Sequence, residues 1–100
     1  MVFDIFKVTG IGGYTAEQGK DKNDQPRVIY RKDDKAFLVI NKNTIEIRTD
    51  SELRKLLTEK YESVMESRYF GRGGIEIVLA GGQLSDDELY DLVRLSYNLS

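Results

Sequence analysis

The amino-acid sequence predicts an α+β fold, in which an antiparallel sheet carries two helices packed on one of its faces. Short apolar or alternating runs separated by turns dominate the middle of the chain, and such runs are typical of strands. The hydrophobic period changes from two to 3.6 residues at Thr49, and a second helix-start signal follows at Ser85. The length of 100 residues predicts a single domain over residues 1–100 with one modest core.

The central part of the chain predicts a β-hairpin. Residues 36–40 (AFLVI) form an apolar run of strand length, and residues 41–43 have the composition of a turn. Residues 44–48 then alternate strictly, which places Ile45 and Ile47 on one face of the second strand. We therefore expect the hairpin to present an apolar face to a helix.

The first helix is predicted over about residues 50–64. Thr49 and Glu52 have the spacing of a capping box, in which both side chains satisfy backbone N–H groups at the helix start. An apolar stripe at helical spacing follows, formed by Leu53, Leu56, Leu57, Tyr61 and Val64. This stripe is expected to pack on the hairpin.

Residues 85–98 predict the second helix, because Ser85 and Glu88 repeat the capping-box spacing. Residues 27–32, which follow the single proline, and residues 74–79 predict two further strands. The side chains expected to form the core are Ile45, Ile47, Leu53, Leu56, Leu57, Ile75, Ile77, Leu89, Leu92 and Val93.

The remaining segments predict less regular structure. Residues 2–8 are apolar enough for either a strand or a short helix. Residues 9–25 are rich in glycine and then in charged residues, so we expect a loop there and a partly flexible N-terminal segment over residues 1–25. Residues 67–74 (SRYFGRGG) predict a second glycine-bearing loop.

The residue types that the sequence lacks narrow its function. It contains no cysteine and no histidine, which removes disulfides, thiolate zinc sites and the commonest general base. We therefore expect a protein that is not an enzyme and that uses no cofactor or metal. No apolar run approaches the roughly 20 residues needed to cross a bilayer, and the N-terminus lacks a secretory pattern, so we expect a cytoplasmic protein without a membrane partner.

Two glycine motifs and two acidic clusters have structural explanations. Residues 10–13 and 71–74 are not followed by the helix start that a phosphate-binding loop requires. Asp33 and Asp34 fit turn chemistry, and residues 86–88 fit the first turn of a helix. None of these clusters predicts a catalytic or metal site.

One exposed stretch has the residue types of a nucleic-acid contact. The candidate site residues are Arg68, Tyr69, Phe70 and Arg72, with Arg27, Arg31 and Lys32 adding positive potential. Guanidinium groups and aromatic rings on one loop suit phosphate contact and base stacking. A structural alternative stays open, in which the two rings fold over the edge of the core while the arginines remain solvated.

The net charge of −2 hides an uneven distribution. Residues 19–49 carry eight basic and five acidic side chains, a net charge of +3. The two predicted helical segments, residues 50–66 and residues 84–100, carry net charges of −2 and −3. If the helices cover one face of the sheet, the other face and its loops are expected to be mildly positive.

Several segments between residues 26 and 99 carry a resemblance to a known family. Residues 34–40 (DKAFLVI) are similar to a Gly-Lys-x-Phe-x-x-(Leu/Ile) strand, and residues 45–53 (IEIRTDSEL) to a strand-into-helix step. Residues 85–89 (SDDEL) and 96–99 (SYNL) are similar to a closing helix. By these segments the chain resembles the MmcQ/YjbR family of small bacterial proteins, and more distantly the N-terminal domain of TfoX-like competence regulators.

The resemblance implies a double-wing fold and a role in DNA binding. Where the family carries a His-Met-Asn-Lys-x-His-Trp loop, this chain has residues 68–74 (RYFGRGG), so no site residue is taken from the family. Two functions follow from the sequence. The first is a weak nucleic-acid-binding accessory protein, and the alternative is a protein-interaction module or homodimer. The alternative would use a strand edge near residues 74–79 or the apolar N-terminal segment.

Overall fold

The computed structural model describes residues 13–81 and 83–99, and it confirms the α+β class. The described residues form one antiparallel sheet of six strands and two α-helices. The strands are β1 (Thr15–Lys20), β2 (Pro26–Lys32), β3 (Lys35–Ile40), β4 (Thr44–Arg48), β5 (Val64–Ser67) and β6 (Gly71–Val78). The helices are α1 (Ser51–Lys60) and α2 (Asp86–Leu99), and a short 3₁₀ turn spans Leu79–Gly81.

The strand order in the sheet is β1-β2-β3-β4-β6-β5. Strand β6 therefore lies between β4 and β5, and its residues pair on both sides. The predicted free strand edge near residues 74–79 is wrong for this reason. Among the described strands, β1 and β5 form the two edges of the sheet.

The loop predicted over residues 9–25 is wrong in its second half. Thr15–Lys20 forms β1, which pairs along its whole length with β2. Every residue of β1 is exposed and none faces the core. The strand therefore needs no apolar residues at alternate positions, and its sequence carries no pattern that predicts it. The predictions for residues 2–8 and for most of the glycine motif at residues 10–13 lie outside the described residues.

Helix α1 is shorter than predicted at both ends. Its N-cap is Asp50, whose carboxylate accepts a hydrogen bond of 2.7 Å from the N–H of Leu53. Thr49 is not the cap: it lies just after β4, and its N–H donates to the carbonyl of Gly73. Helix α1 ends at Lys60, and Val64 begins β5, so much of the loop predicted over residues 67–74 belongs to strands.

The capping box at the start of α2 is confirmed. The N–H of Ser85 donates to the Glu88 carboxylate (3.1 Å), and the N–H of Glu88 donates to the Ser85 hydroxyl (3.2 Å). These hydrogen bonds lower the pKa of Glu88. Further along α2, the buried Ser96 hydroxyl accepts from the N–H of Arg48 and donates to the carbonyl of Phe37, which ties the helix to β4 and β3.

Both helices pack on the same face of the sheet. The main core contains Phe37, Leu38, Ile45, Ile47, Leu57, Val64, Ile75, Ile77, Leu84, Leu89 and Val93. Leu53 and Leu92, which were predicted in the core, are partly buried at its margin. The prediction that Leu56 belongs to the core is wrong, because its side chain is 59% exposed. Leu56 fits the helical period, but α1 buries only Leu57 fully, so its apolar stripe is narrower than the sequence indicates.

A β-bulge in β3 explains why two neighbouring side chains enter the same core. Tyr30 pairs with Leu38 and Arg31 pairs with Ala36, so Phe37 is an extra residue in the ladder. Phe37 and Leu38 therefore both belong to the core under the helices. Ala36 and Val39 belong to a second, smaller apolar cluster.

Neither of the two described helices is long and apolar enough to cross a membrane.

Replacing Leu57 by Ala should lower the free energy of unfolding by about 2–5 kcal/mol, because a buried side chain is removed and a cavity remains. Its neighbour Leu56 is the matched control, and Leu56→Ala should change stability by no more than about 0.5 kcal/mol. Urea denaturation of the two variants measures both values. Equal losses of stability at the two positions would mean that α1 is rotated about its axis, with Leu56 as deeply buried as Leu57.

Candidate nucleic-acid interface

The sheet face opposite α1 and α2, here called the helix-free face, carries two glutamates at its centre. Register aligns Val39 with Glu46 and Glu46 with Glu76 across β3, β4 and β6. Each of the two glutamates is only 2% exposed. Charged groups this deeply buried require compensating partners, and most of these come from nearby turns.

The turn between β5 and β6, Arg68 to Phe70, folds over this face. The N–H of Tyr69 donates to the Glu46 carboxylate (2.9 Å), and the N–H of Phe70 donates to the Ser67 hydroxyl (2.8 Å). The Tyr69 and Phe70 rings pack against the small apolar cluster formed by Ile29, Ala36 and Val39. Both rings are thus half-buried against the sheet.

Glu46 is held by neutral hydrogen-bond donors. One carboxylate oxygen accepts from the Ser67 hydroxyl (2.8 Å) and from the N–H of Tyr69. The other oxygen accepts from the side-chain amide of Asn41 (2.8 Å). Three donors from three separate segments therefore converge on a single buried carboxylate.

Glu76 is held mainly by an ion pair. The Arg68 guanidinium donates to both of its oxygens, from Nε at 2.9 Å and from Nη2 at 2.8 Å, and the Thr44 hydroxyl adds a third hydrogen bond of 2.7 Å. Burial by itself would raise the pKa of Glu76, but the hydrogen bonds from Arg68 and Thr44 outweigh it and lower that pKa. The same pair raises the pKa of Arg68, whose side chain is still 54% exposed.

Two other arginines stack on the rings of the turn. The guanidinium carbon of Arg27 lies 5.5 Å from the centroid of the Tyr69 ring, and that of Arg48 lies 5.0 Å from the Phe70 ring. Arg48 also donates from Nε to the carbonyl of Ala36 (2.6 Å). Gly74 allows the Phe70 ring to approach, because a Cβ there would lie 2.8 Å from Phe70 Cβ and overlap the Ile47 carbonyl.

The helix-free face collects four of the seven arginines of the sequence. Arg27, Arg48 and Arg68 lie there by their contacts. Arg31 lies there by alternation along β2 with Ile29, and it forms an ion pair with Glu17 (2.7 Å). The exposed Arg72 lies in the turn that follows Phe70, where the N–H of Gly73 donates to the Phe70 carbonyl. The other two arginines, Arg54 and Arg94, belong to the helices.

The fold brings some of the predicted site residues together and leaves others apart. Arg27, Arg68, Tyr69 and Phe70 lie in one neighbourhood, with Arg31 further out on the same face and Arg72 in the turn that follows Phe70. Lys32 is separate, because its ammonium lies 4.3 Å from the centroid of the Tyr97 ring and donates to the Tyr97 carbonyl on α2.

The sequence did not identify Glu46, Glu76, Asn41 and Arg48 as part of this neighbourhood. Glu46 occupies a polar position in an alternating strand, which normally indicates a solvated side chain. Its burial depends on the folding of a turn more than 20 residues away, which no local pattern encodes.

A small pocket opens beside this turn. Its volume is about 240 Å³, and its lining residues are Asp21, Lys22, Arg27, Asn41, Glu46, Arg68 and Tyr69. The wall therefore contains two guanidinium groups and one ammonium group. In the part of the chain that the structure describes, no cluster of three or more acidic side chains could hold a metal ion.

The chain was compared with family models, with curated proteins and with solved structures. No match was found. The function is therefore argued from the chemistry of the helix-free face.

Replacing Arg68 by Gln should lower the free energy of unfolding by about 1–3 kcal/mol near pH 7, because Glu76 would stay buried without its ionic partner. The lowered pKa of Glu76 makes the pair stabilising above the ordinary glutamate pKa of 4.5, and this stability is lost as the pH falls through the folded-state value. The difference from wild type should therefore shrink below about pH 4.5.

Urea denaturation at several pH values measures this difference. Arg72→Gln is the matched control, because Arg72 lies in the turn that follows Phe70 and is exposed, and it should produce little change at any pH. A loss for Arg68→Gln that is the same at neutral and acidic pH would show that the ion pair does not stabilise the fold.

Proposed function

We propose that the protein is a weak nucleic-acid-binding accessory domain that contacts phosphates through the arginines of the helix-free face. The observation that carries this proposal is the segregation of arginine: four of seven lie on that face, and Arg72 is exposed in the turn that follows Phe70. The resemblance to the MmcQ/YjbR family supports it independently, because that family is associated with DNA binding.

The residue chemistry favours phosphate as the group that is bound. The guanidinium group is planar, stays charged at physiological pH and matches phosphate oxygens with paired donors. Glu17 and Glu76 each pair with one arginine of the face, while Arg27 and Arg48 stack on aromatic rings and have no ion pair among the described residues. Glu46 adds a third carboxylate, held by neutral donors. Four arginines against three glutamates leave these side chains with a net charge of +1.

The aromatic rings are proposed to shape this face rather than to stack on bases. One side of the Tyr69 ring is occupied by Arg27, and Phe70 lies between Arg48, the edge of the Tyr69 ring and the backbone of Gly74. Binding is then expected to depend on the phosphate backbone and to show little sequence preference.

Fluorescence anisotropy with short single- and double-stranded DNA tests the proposal. Binding should be weak and should fall with added salt, with a slope of about −0.9 per contacted phosphate on duplex DNA. Arg72→Gln should make the slope shallower by about one unit, since Arg72 is exposed in the turn that follows Phe70, beside the proposed face.

Arg94→Gln is the matched control, because Arg94 is an exposed arginine on α2, on the acidic side of the molecule. It should leave both the affinity and the slope unchanged. If wild-type protein shows no binding at low salt, the proposed function is wrong. If Arg94→Gln weakens binding as much as Arg72→Gln, the helix-free face is not the interface.

Strand β1 favours a second candidate, a homodimer or a protein-interaction module that uses a strand edge. All six residues of β1 are exposed, and within the described ranges it pairs only with β2. An exposed edge of this kind can accept another strand.

Light scattering as a function of protein concentration separates the two candidates. An edge-paired homodimer should double the apparent mass as the concentration rises. A strict monomer throughout would remove the homodimer.

A further inference from the structure

The pocket beside Arg27 and Arg68 has unsatisfied cationic donors at its wall. Arg27 Nε is buried and has no hydrogen-bond acceptor among the described residues. Arg68 uses Nε and Nη2 on Glu76, so its Nη1 donors take no part in that pair. Arg27 Nε lies too deep for a ligand to reach, but the positive charge is delocalised over the whole guanidinium group, so Arg27 still contributes positive charge to the pocket wall.

The two carboxylates that line the pocket reduce its positive charge but do not cancel it. Glu46 already accepts from Ser67, Tyr69 and Asn41, and so both of its oxygens are engaged. Asp21 accepts through one oxygen from two backbone N–H groups of its own turn, those of Asn23 and Gln25. These hydrogen bonds stabilise both acids without removing their charges, and Lys22 adds a third cation, so three cations stand against two carboxylates at the wall.

The size of the pocket limits what can occupy it. A volume of about 240 Å³ accommodates a tetrahedral oxyanion with several waters, since a water occupies about 30 Å³ in the liquid. It lies below the roughly 300–1,000 Å³ that is usual for pockets enclosing drug-sized ligands. The pocket therefore fits a single phosphate group better than a whole nucleotide.

We propose that this pocket binds a phosphate monoester, and that on nucleic acid it receives the terminal phosphate of a strand. The second half of this inference rests on the proposed function. A monoester carries a charge of about −1.5 to −2 near neutral pH, whereas an internal phosphodiester carries about −1. Two guanidinium groups at one pocket favour the group with the greater charge.

Two probes test the site by NMR: inorganic phosphate, and a short single-stranded DNA made with either a 5′-phosphate or a 5′-hydroxyl. The 5′-phosphate should strengthen binding about tenfold, and both phosphate probes should shift the Tyr69 amide and the Asn41 side-chain amide. Arg27→Gln should abolish the advantage of the 5′-phosphate.

Arg31→Gln is the matched control, because Arg31 lies on the same strand and face but pairs with Glu17 and does not line the pocket. It should keep the preference for the 5′-phosphate. Arg27→Lys provides a second test if Arg27→Gln unfolds, since it retains the charge but loses the paired donors, and the advantage should fall severalfold.

The outcomes separate the pocket from the proposed function. The phosphate site is wrong if the two DNA forms bind equally, or if both Arg27 variants keep the preference for the 5′-phosphate. Neither result contradicts the proposed nucleic-acid binding. Binding of inorganic phosphate that depends on Arg27, with no binding of either DNA, would support the pocket and overturn the function. No binding of any probe would overturn both.

Discussion

The burial of two carboxylates opposite each other is the constraint on which the helix-free face depends. Like charges that face each other across strands destabilise a sheet, and buried charges need full hydrogen bonding. Glu46 and Glu76 meet this requirement with different partners, because neutral donors hold the first and Arg68 holds the second. A turn that supplies donors to both residues has to lie across the sheet, which fixes the position of residues 68–70 on the face.

Once the turn lies across the sheet, its rings form a second apolar layer. Tyr69 and Phe70 contact each other edge to face, with centroids 5.0 Å apart, above the cluster that contains Val39. Arg27 and Arg48 cover the rings from outside. The arginines are thus positioned by packing as well as by charge, and they keep their orientation without acidic partners. Such preorganisation suits the binding of an anion, because little side-chain freedom remains to be lost.

Local signals in the sequence were sufficient for the fold class and for α2, because a capping box and a helical period act within a few residues. They were insufficient where contacts between distant segments determine the local structure. Thr49 has the chemistry of a helix cap, but its N–H is bound to the carbonyl of the distant Gly73, and the cap is the next residue, Asp50. The arginines and rings of the site were predicted from residue type alone. Their glutamate partners were not, since the register between β4 and β6 brings those together.

The bulge at Phe37 determines how the side chains of one strand, β3, are divided between two apolar layers. An unbroken strand alternates strictly, so an extra residue shifts the phase of everything that follows it. In β3 the residue before the bulge, Ala36, and the residue beyond it, Val39, both belong to the arginine-covered layer. Phe37 and Leu38 between them both belong to the layer under the helices. The length of this strand is consequently dictated by both layers at once, so evolution can substitute side chains here more freely than it can add or remove residues.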